Sequence, residues 1–195
     1  MTSAVPPTAR ATTGSLLLIL PVSAELLWPS IDDSRWGHLL FACSQLVGWG
    51  LLATVCLGVT AVRPAPVTGR AGRVGRRLVL TGCALQLLFA LAYGASAVVM
   101  GEPLEAAFVL FLLGFLALLV GGTLWGRALW REPRLRLAGG GFLATAVLGF
   151  LAIAVGADPF HDIALLGSYA SWMVIGLGLE RAARGAEQAS ASLSA

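Results

Sequence analysis

The sequence of 195 residues contains no lysine and no asparagine, and only 12% of its residues are charged. Without lysine, the chain cannot hold a retinal-type chromophore as a Schiff base. All 13 basic residues are therefore arginines, a bias typical of a GC-rich bacterial genome. They form no basic face interleaved with aromatic residues, so the composition does not predict a nucleic-acid partner.

Cysteine is scarce as well, and its positions exclude a disulfide framework. Cys43, Cys56 and Cys83 all lie in apolar segments, and there is no CxxC motif. An odd number of cysteines without close spacing does not indicate paired bridges. We interpret them as small core residues. The one pair that a dithiol redox enzyme could use is Cys56 with Cys83, since both lie toward the inner side of the predicted membrane domain.

Apolar residues dominate what is present: they make up 57% of the chain, and the mean hydropathy is +0.84. Apolar runs lie at 37–62, 78–100, 106–126, 137–157 and 160–179. Each is close to the roughly 20 residues that a helix needs to cross a bilayer. With a further run after Gly14, the sequence predicts an all-α bundle of six transmembrane helices over residues 14–182, between disordered cytoplasmic tails at 1–13 and 183–195. Similar outer turns suggest three repeated helical hairpins.

The first run has a second interpretation. Arg10, the apolar residues that follow it and Val22-Ser23-Ala24 also match the three regions of a secretory signal peptide. Cleavage of residues 1–24 would leave five helices. We favour the uncleaved helix, because apolar residues resume with Leu26 and Leu27.

Most arginines and most acidic residues lie in different loops, which alternate along the chain. The arginines of 63–77, 127–136 and 181–184 fall on one side of a six-span arrangement, together with Arg10, and only Arg35 lies on the other side. The acidic residues on the other side are Asp32, Asp33, Glu102, Glu105, Asp158 and Asp162. The positive-inside rule therefore predicts a bacterial inner-membrane protein with both termini in the cytoplasm. We interpret Glu102-Pro103 and Asp158-Pro159 first as helix starts, with a cation site as the alternative.

Glu25 is the one carboxylate placed inside a predicted span. An ionised carboxylate in hydrocarbon is costly, so such a residue is a functional-site hypothesis. Pro21 has no N–H for the carbonyl of Leu17, which frees an acceptor near the acid. The alternative is that Glu25 lies close enough to the outer interface to reach water. Gln45, predicted at a comparable depth on the second span, could hydrogen-bond to it.

The remaining candidates would line an outer-half pocket around Glu25. The predicted binding residues are His38, Gln45, Trp49, Tyr93, Tyr169 and Trp172. His38 and His161 both lie about one turn inside the outer surface, where they could ligate haem or a metal. Two histidines without a third ligand are a weak metal signal. We therefore predict no metal site and no cofactor.

No catalytic motif in the sequence is specific, so two functions stay open. The first is binding, transport or an accessory role for a lipophilic small molecule, in contact with membrane lipids. The second is an enzyme acting on an isoprenoid or lipid-like substrate, as terpenoid cyclases do, although no motif of that class is present. In it, Glu25 would be the general acid, and Asp158, His161 or Asp162 a base or counter-charge. The sequence also leaves open whether the chain forms a homo-oligomer.

Overall fold

The computed structural model describes residues 6–27, 35–61, 69–102, 104–155 and 160–194, and its regular structure is α-helical. The helices are α1 (Pro7–Leu27), α2 (Arg35–Ala61), α3 (Arg70–Met100), α4 (Ala107–Trp130), α5 (Arg136–Val155) and α6 (Phe160–Ser194). Among the described residues, the five helices α2 to α6 are long and apolar enough to cross a membrane. The prediction of an all-helical membrane protein is therefore confirmed. That α1 also spans the membrane stays a prediction.

Two helices extend beyond the apolar runs that predicted them. α3 begins eight residues before its run, at Arg70, and the arginines of its first turns are exposed. α6 continues to Ser194, so helical structure enters the predicted C-terminal tail, and α1 likewise begins inside the predicted N-terminal tail. Apolar runs mark the hydrocarbon-spanning part of a helix, whereas the backbone hydrogen bonding of a helix can continue into water.

The turn between α3 and α4 depends on a glycine and a serine. α3 ends at Met100, and the next residue, Gly101, has a left-handed φ of 81°. Glycine adopts this conformation at little cost because it has no Cβ. The Ser96 hydroxyl accepts a hydrogen bond from the Leu104 backbone N–H at 2.8 Å, which closes the turn. α4 then begins at Ala107, so Glu102 lies in the turn and not at the helix start that the Glu102-Pro103 pair predicted.

The six helices form a closed ring in chain order. Each helix packs against the next, and α6 returns to pack against α1. The contact between α1 and α6 is antiparallel: Ala11 meets Gly176, while Thr8, one turn before Ala11, donates to the carboxylate of Glu180, one turn after Gly176. The internal repeat of three hairpins stays a prediction.

A glycine lies at every interface of this ring. In lipid there is little hydrophobic drive between helices, so close approach at small residues holds them together. An added Cβ on Gly75 would lie 2.5 Å from the backbone nitrogen of Trp125, a distance that real side chains do not reach. In ring order, the contacts are Gly14 with Gly48, Gly94 with Ala42, Gly82 with Gly114, Gly126 with Gly139, Gly178 with Ala138, and Gly176 with Ala11.

Aromatic side chains fill the middle of the ring. Trp125 of α4 packs against Phe142 of α5, with ring centroids 4.8 Å apart. Phe142 packs against Trp172 of α6 at 5.6 Å, and Trp172 against Trp49 of α2 at 6.1 Å. All four are at most 2% exposed. The last contact of this row joins α2 and α6, which are not neighbours in the ring, and brings the two helices close together.

Candidate functional site

Four of the predicted binding residues meet where α2 approaches α6. The indole Nε1 of Trp49 donates to Oε1 of Gln45, one turn earlier on α2, at 3.0 Å. The ring of Trp49 also makes edge-on contacts with Tyr169 and Trp172 of α6, with both centroid distances at 6.1 Å. All four side chains are at most 3% exposed. Edge-to-face packing of buried rings favours one relative orientation and stabilises the contact beyond the burial of apolar area.

Helix periodicity places Ser15 of α1 at the level of this group. Ala11 lies against Gly176 in an antiparallel crossing. Residues one turn farther on α1 and one turn earlier on α6 occupy the same level of the interface, because equivalent faces recur every three to four residues. Ser15 and Trp172 are those residues. We call the set Ser15, Gln45, Trp49, Tyr169 and Trp172 the core site.

Two polar atoms of the core site have no hydrogen-bond partner among the described residues. They are Oγ of Ser15 and Nε1 of Trp172, and both are fully buried. An indole N–H can only donate, whereas a hydroxyl can donate and accept. Leaving a buried polar group unpaired costs about 1–3 kcal/mol. The core site therefore contains two buried hydrogen-bond donors that lack an acceptor among the described residues.

The core site lies in the middle of the bundle. Trp49 follows the start of α2 at Arg35 by 14 residues, which is about 21 Å along the helix axis. On the side toward the C-terminal end of α2, apolar side chains close the site: Leu52, Val55 and Ile175 are each at most 2% exposed. The site is therefore apolar in its surroundings and polar at a few atoms, as small-molecule sites in proteins commonly are.

His38 and Tyr93 form a separate pair, nearer the end of the bundle that carries the turn between α3 and α4. Nδ1 of His38 and the Tyr93 hydroxyl oxygen are 2.9 Å apart, and either group donates depending on the histidine tautomer. Phe41 packs on the Tyr93 ring at 5.1 Å. Tyr93 is buried and His38 half-buried. The pair links α2 to α3.

The backbone of Glu25 lies in α1, but its side chain is outside the described residues. Gly14 packs against Gly48, and moving about eleven residues outward along both antiparallel helices brings Glu25 to the level of His38. Gln45 lies deeper, and its Oε1 already accepts from Trp49. A hydrogen bond between Glu25 and Gln45 stays a prediction.

The other predicted catalytic residues lie at the start of α6. Asp158 is outside the described residues, as is the side chain of His161, while Asp162 is half-buried in the first turn of α6. In the described part of the chain, no three histidine, cysteine or acidic side chains gather as a metal site. The haem and metal alternatives on His38 and His161, and the enzymatic hypothesis on Glu25, are not tested by these contacts.

Ser15 is absent from the predicted binding residues, because serine in an apolar run is common and carries no motif. A signal was nevertheless present. Ala11, Ser15 and Leu18 recur at the spacing of one helix face, and all three are fully buried. Small and polar residues on one face of a membrane helix indicate a helix interface, but Ala11 lies in the predicted N-terminal tail.

Comparison with known proteins adds no further assignment: no protein-family model matches the chain, and neither a curated protein nor a solved structure resembles it significantly.

Proposed function

We propose that the chain is a multi-pass membrane protein that binds a lipophilic small molecule in the core site, through a hydrogen-bond acceptor such as a carbonyl oxygen. The observation that carries this proposal is the pair of buried donors without a partner, Ser15 Oγ and Trp172 Nε1. Left unpaired, two such groups cost about 2–6 kcal/mol together. A ligand that offers each group an acceptor would remove that cost.

The surroundings of the core site support a lipophilic ligand. Trp49 and Tyr169 offer aromatic faces and edges for an apolar body. Every described side chain of the site is buried within a membrane-spanning bundle, so a ligand must enter from lipid. Leu52, Val55 and Ile175 close the inner side. This closure favours binding over the conduction of a hydrophilic solute, which would need a polar path through the bundle.

We further propose that α1 is a sixth span and that the protein lies in a bacterial inner membrane with both termini in the cytoplasm. α1 has 21 residues, enough for about 30 Å of helix. It packs between α2 and α6 and completes the ring. The exposed arginines at the start of α3 lie at the end opposite to Glu102 and Glu105, which supports the predicted orientation.

Native mass spectrometry of the full-length protein, purified from its membrane, tests the proposal. We expect a bound molecule that organic extraction identifies as lipophilic and acceptor-bearing. Trp172→Phe keeps an aromatic ring but removes the N–H, so we expect it to retain less ligand by about tenfold, since a hydrogen bond of this kind is worth about 1–1.5 kcal/mol. Trp125→Phe is the matched control, because Trp125 is equally buried and packs on the same Phe142.

Two results would contradict the proposal. One is the chain without any bound molecule under conditions that preserve bound membrane lipids in a reference protein. The other is equal retention of the ligand by the Trp172→Phe and Trp125→Phe variants. Circular dichroism and size-exclusion chromatography of both variants separate loss of binding from loss of the fold. The intact mass also reports whether residues 1–24 are retained.

A further inference from the structure

Arginine side chains gather at the end of the bundle where α3 and α5 begin and α4 ends. Four lie in residues 70–77 and four in residues 127–136, and all of them are exposed. The two stretches are neighbours, because Gly75 of α3 packs on the backbone of Trp125 in α4, and Gly139 of α5 packs on that of Trp130. We call these eight arginines the arginine patch.

The arginine patch carries a large excess of positive charge. Glu132 is the only carboxylate in its two stretches. Glu180 of α6, at the same end of the bundle, already accepts hydrogen bonds from Thr8 and Arg184. The carboxylate of the two stretches can neutralise only one of the eight arginines, so the patch as a whole attracts an anionic partner.

The fold holds the arginine patch at the level of lipid headgroups. On α3, Gly72 and Gly75 are buried at the helix interface, whereas the arginines are exposed. Arg77 directly precedes the apolar run that begins at residue 78, and Arg70 lies about 10 Å farther out along the helix axis. The headgroup region on one side of a bilayer is about 5–7 Å thick. The arginines of α3 therefore extend through this region and into water.

Trp130 and Arg136 form a fixed element of the patch. A Cβ added to Gly140 would lie 2.7 Å from Cζ3 of Trp130, so the indole ring lies against α5. Cζ of Arg136 is 5.9 Å from the centroid of an indole ring of Trp130, and its Nε donates to the Trp130 carbonyl at 3.5 Å. Tryptophan is enriched where membrane meets water, and a guanidinium group binds phosphate oxygens through paired N–H groups. Arg136 is therefore held beside an interfacial ring, where a lipid phosphate lies.

We propose that the arginine patch binds anionic phospholipid headgroups around the ends of α3, α4 and α5. A lipid fits this surface better than a soluble acidic protein, because exposed apolar side chains lie among the arginines: Val74 is 42% exposed and Trp130 46%. The positive-inside rule depends on the number of charges, whereas a lipid site depends on their positions. The proposal does not depend on the core site, which lies in the middle of the bundle and contains no arginine.

Titration of the full-length protein with lipid in a neutral detergent, followed by native mass spectrometry, tests the proposal. The probes are dioleoylphosphatidylglycerol, which is anionic, and dioleoylphosphatidylcholine, which has the same acyl chains but is zwitterionic. We expect the wild-type chain to bind the anionic lipid more tightly by about tenfold or more. A basic side chain near a membrane surface contributes about fivefold to such an affinity, so Arg131→Gln combined with Arg136→Gln should weaken it by about 30-fold.

The matched control combines Arg10→Gln with Arg181→Gln. It removes the same charge at the same end of the bundle, but from α1 and α6. We expect it to weaken the binding by less than about twofold, because salt screens charges that lie more than about 10 Å away. Circular dichroism of both double variants verifies the fold.

Two results would overturn the proposal. One is equal affinity of the wild-type chain for the two lipids, which would favour a soluble acidic partner instead. The other is equal weakening of the binding by the two double variants, because the charge would then act only through its total amount. Both double variants leave the core site intact, so an anionic lipid bound in that site would also give equal affinities for the two variants.

Discussion

Replacing Gly75 by alanine is expected to force α3 away from α4. The added Cβ would lie 2.5 Å from the backbone nitrogen of Trp125 and 2.9 Å from the carbonyl oxygen of Gly121. Ordinary contacts are about 3.5–4.0 Å, so the helices must separate by about 1 Å. Overpacking of this kind costs up to about 3 kcal/mol, while alanine favours the helix by about 1 kcal/mol. We therefore expect the free energy of unfolding to fall by about 2 kcal/mol.

Gly50→Ala is the matched control, because nothing lies within 4 Å of a Cβ at Gly50. There only the helix propensity acts, so we expect no loss and up to about 1 kcal/mol of gain. Unfolding of both variants in bicelles, driven by steric trapping or by sodium dodecyl sulfate and followed by circular dichroism, gives the two free energies. Equal stabilities of the Gly75→Ala and Gly50→Ala variants would refute the close contact of α3 with α4.

Three further substitutions probe the polar contacts of the bundle. Gln86→Leu removes the hydrogen bond that the amide Nε2 donates to a carbonyl of α4 at 3.1 Å. It also removes the buried Oε1, which has no partner in the described chain. The lost bond destabilises and the removed unpaired oxygen stabilises, so we expect the free energy of unfolding to change by less than about 1 kcal/mol. Ser168→Ala removes a 3.1 Å hydrogen bond to α5 and should cost about 0.6–1.7 kcal/mol, whereas Ser171→Ala loses only a bond within α6 and should be near neutral in the same titration. Glu180→Ala removes the acceptor of Thr8, so we expect faster hydrogen exchange at the start of α1, and unchanged exchange there would mean that this contact does not hold α1.

The five long spans could be predicted because the length of an apolar run decides whether a segment can cross the membrane as a helix. A run of about 20 apolar residues is nearly sufficient for a membrane helix, whatever its neighbours are. The ends of the helices are decided differently. α3 begins at Arg70 and not at residue 78, because arginine is a good helix former and its side chain needs only water. Hydropathy carries no signal for a helix that continues past the membrane.

The helix interfaces were harder to predict. Small residues four apart indicate a packing face, and Gly126 does meet Gly139 across α4 and α5. The contact of α3 with α4 uses glycines seven apart on each helix, with Gly82 against Gly114 as one of its pairs. A search for four-residue spacing overlooks it, although a seven-residue spacing also keeps small residues on one face. A small-residue face indicates that a helix packs closely against another helix. It does not indicate which of the other helices in the chain that is.

For the core site, the residue types could be predicted from the sequence, but the packing of the helices that brings them together could not. Gln45, Trp49, Tyr169 and Trp172 stand out as polar or aromatic residues in apolar runs, and all four are brought together. Tyr93 stands out for the same reason, yet it pairs with His38, about two turns nearer the start of α2 than Gln45. The approach of α2 to α6 follows from closure of the ring, and no local pattern in either helix encodes it.

Closure of the ring also bears on the first segment, whose composition alone fits both a signal peptide and a span. A signal peptide needs a charge, an apolar run and a cleavage site, but it needs no fit to the rest of the chain. α1 has such a fit: Gly14 lies against Gly48 of α2, and Ala11 lies against Gly176 of α6. Removal of residues 1–24 would expose both glycines and take Ser15 from the core site. The proposed core site therefore requires that α1 is retained. A mature chain that begins at Glu25 would lack most of α1, and the proposed site would be incomplete.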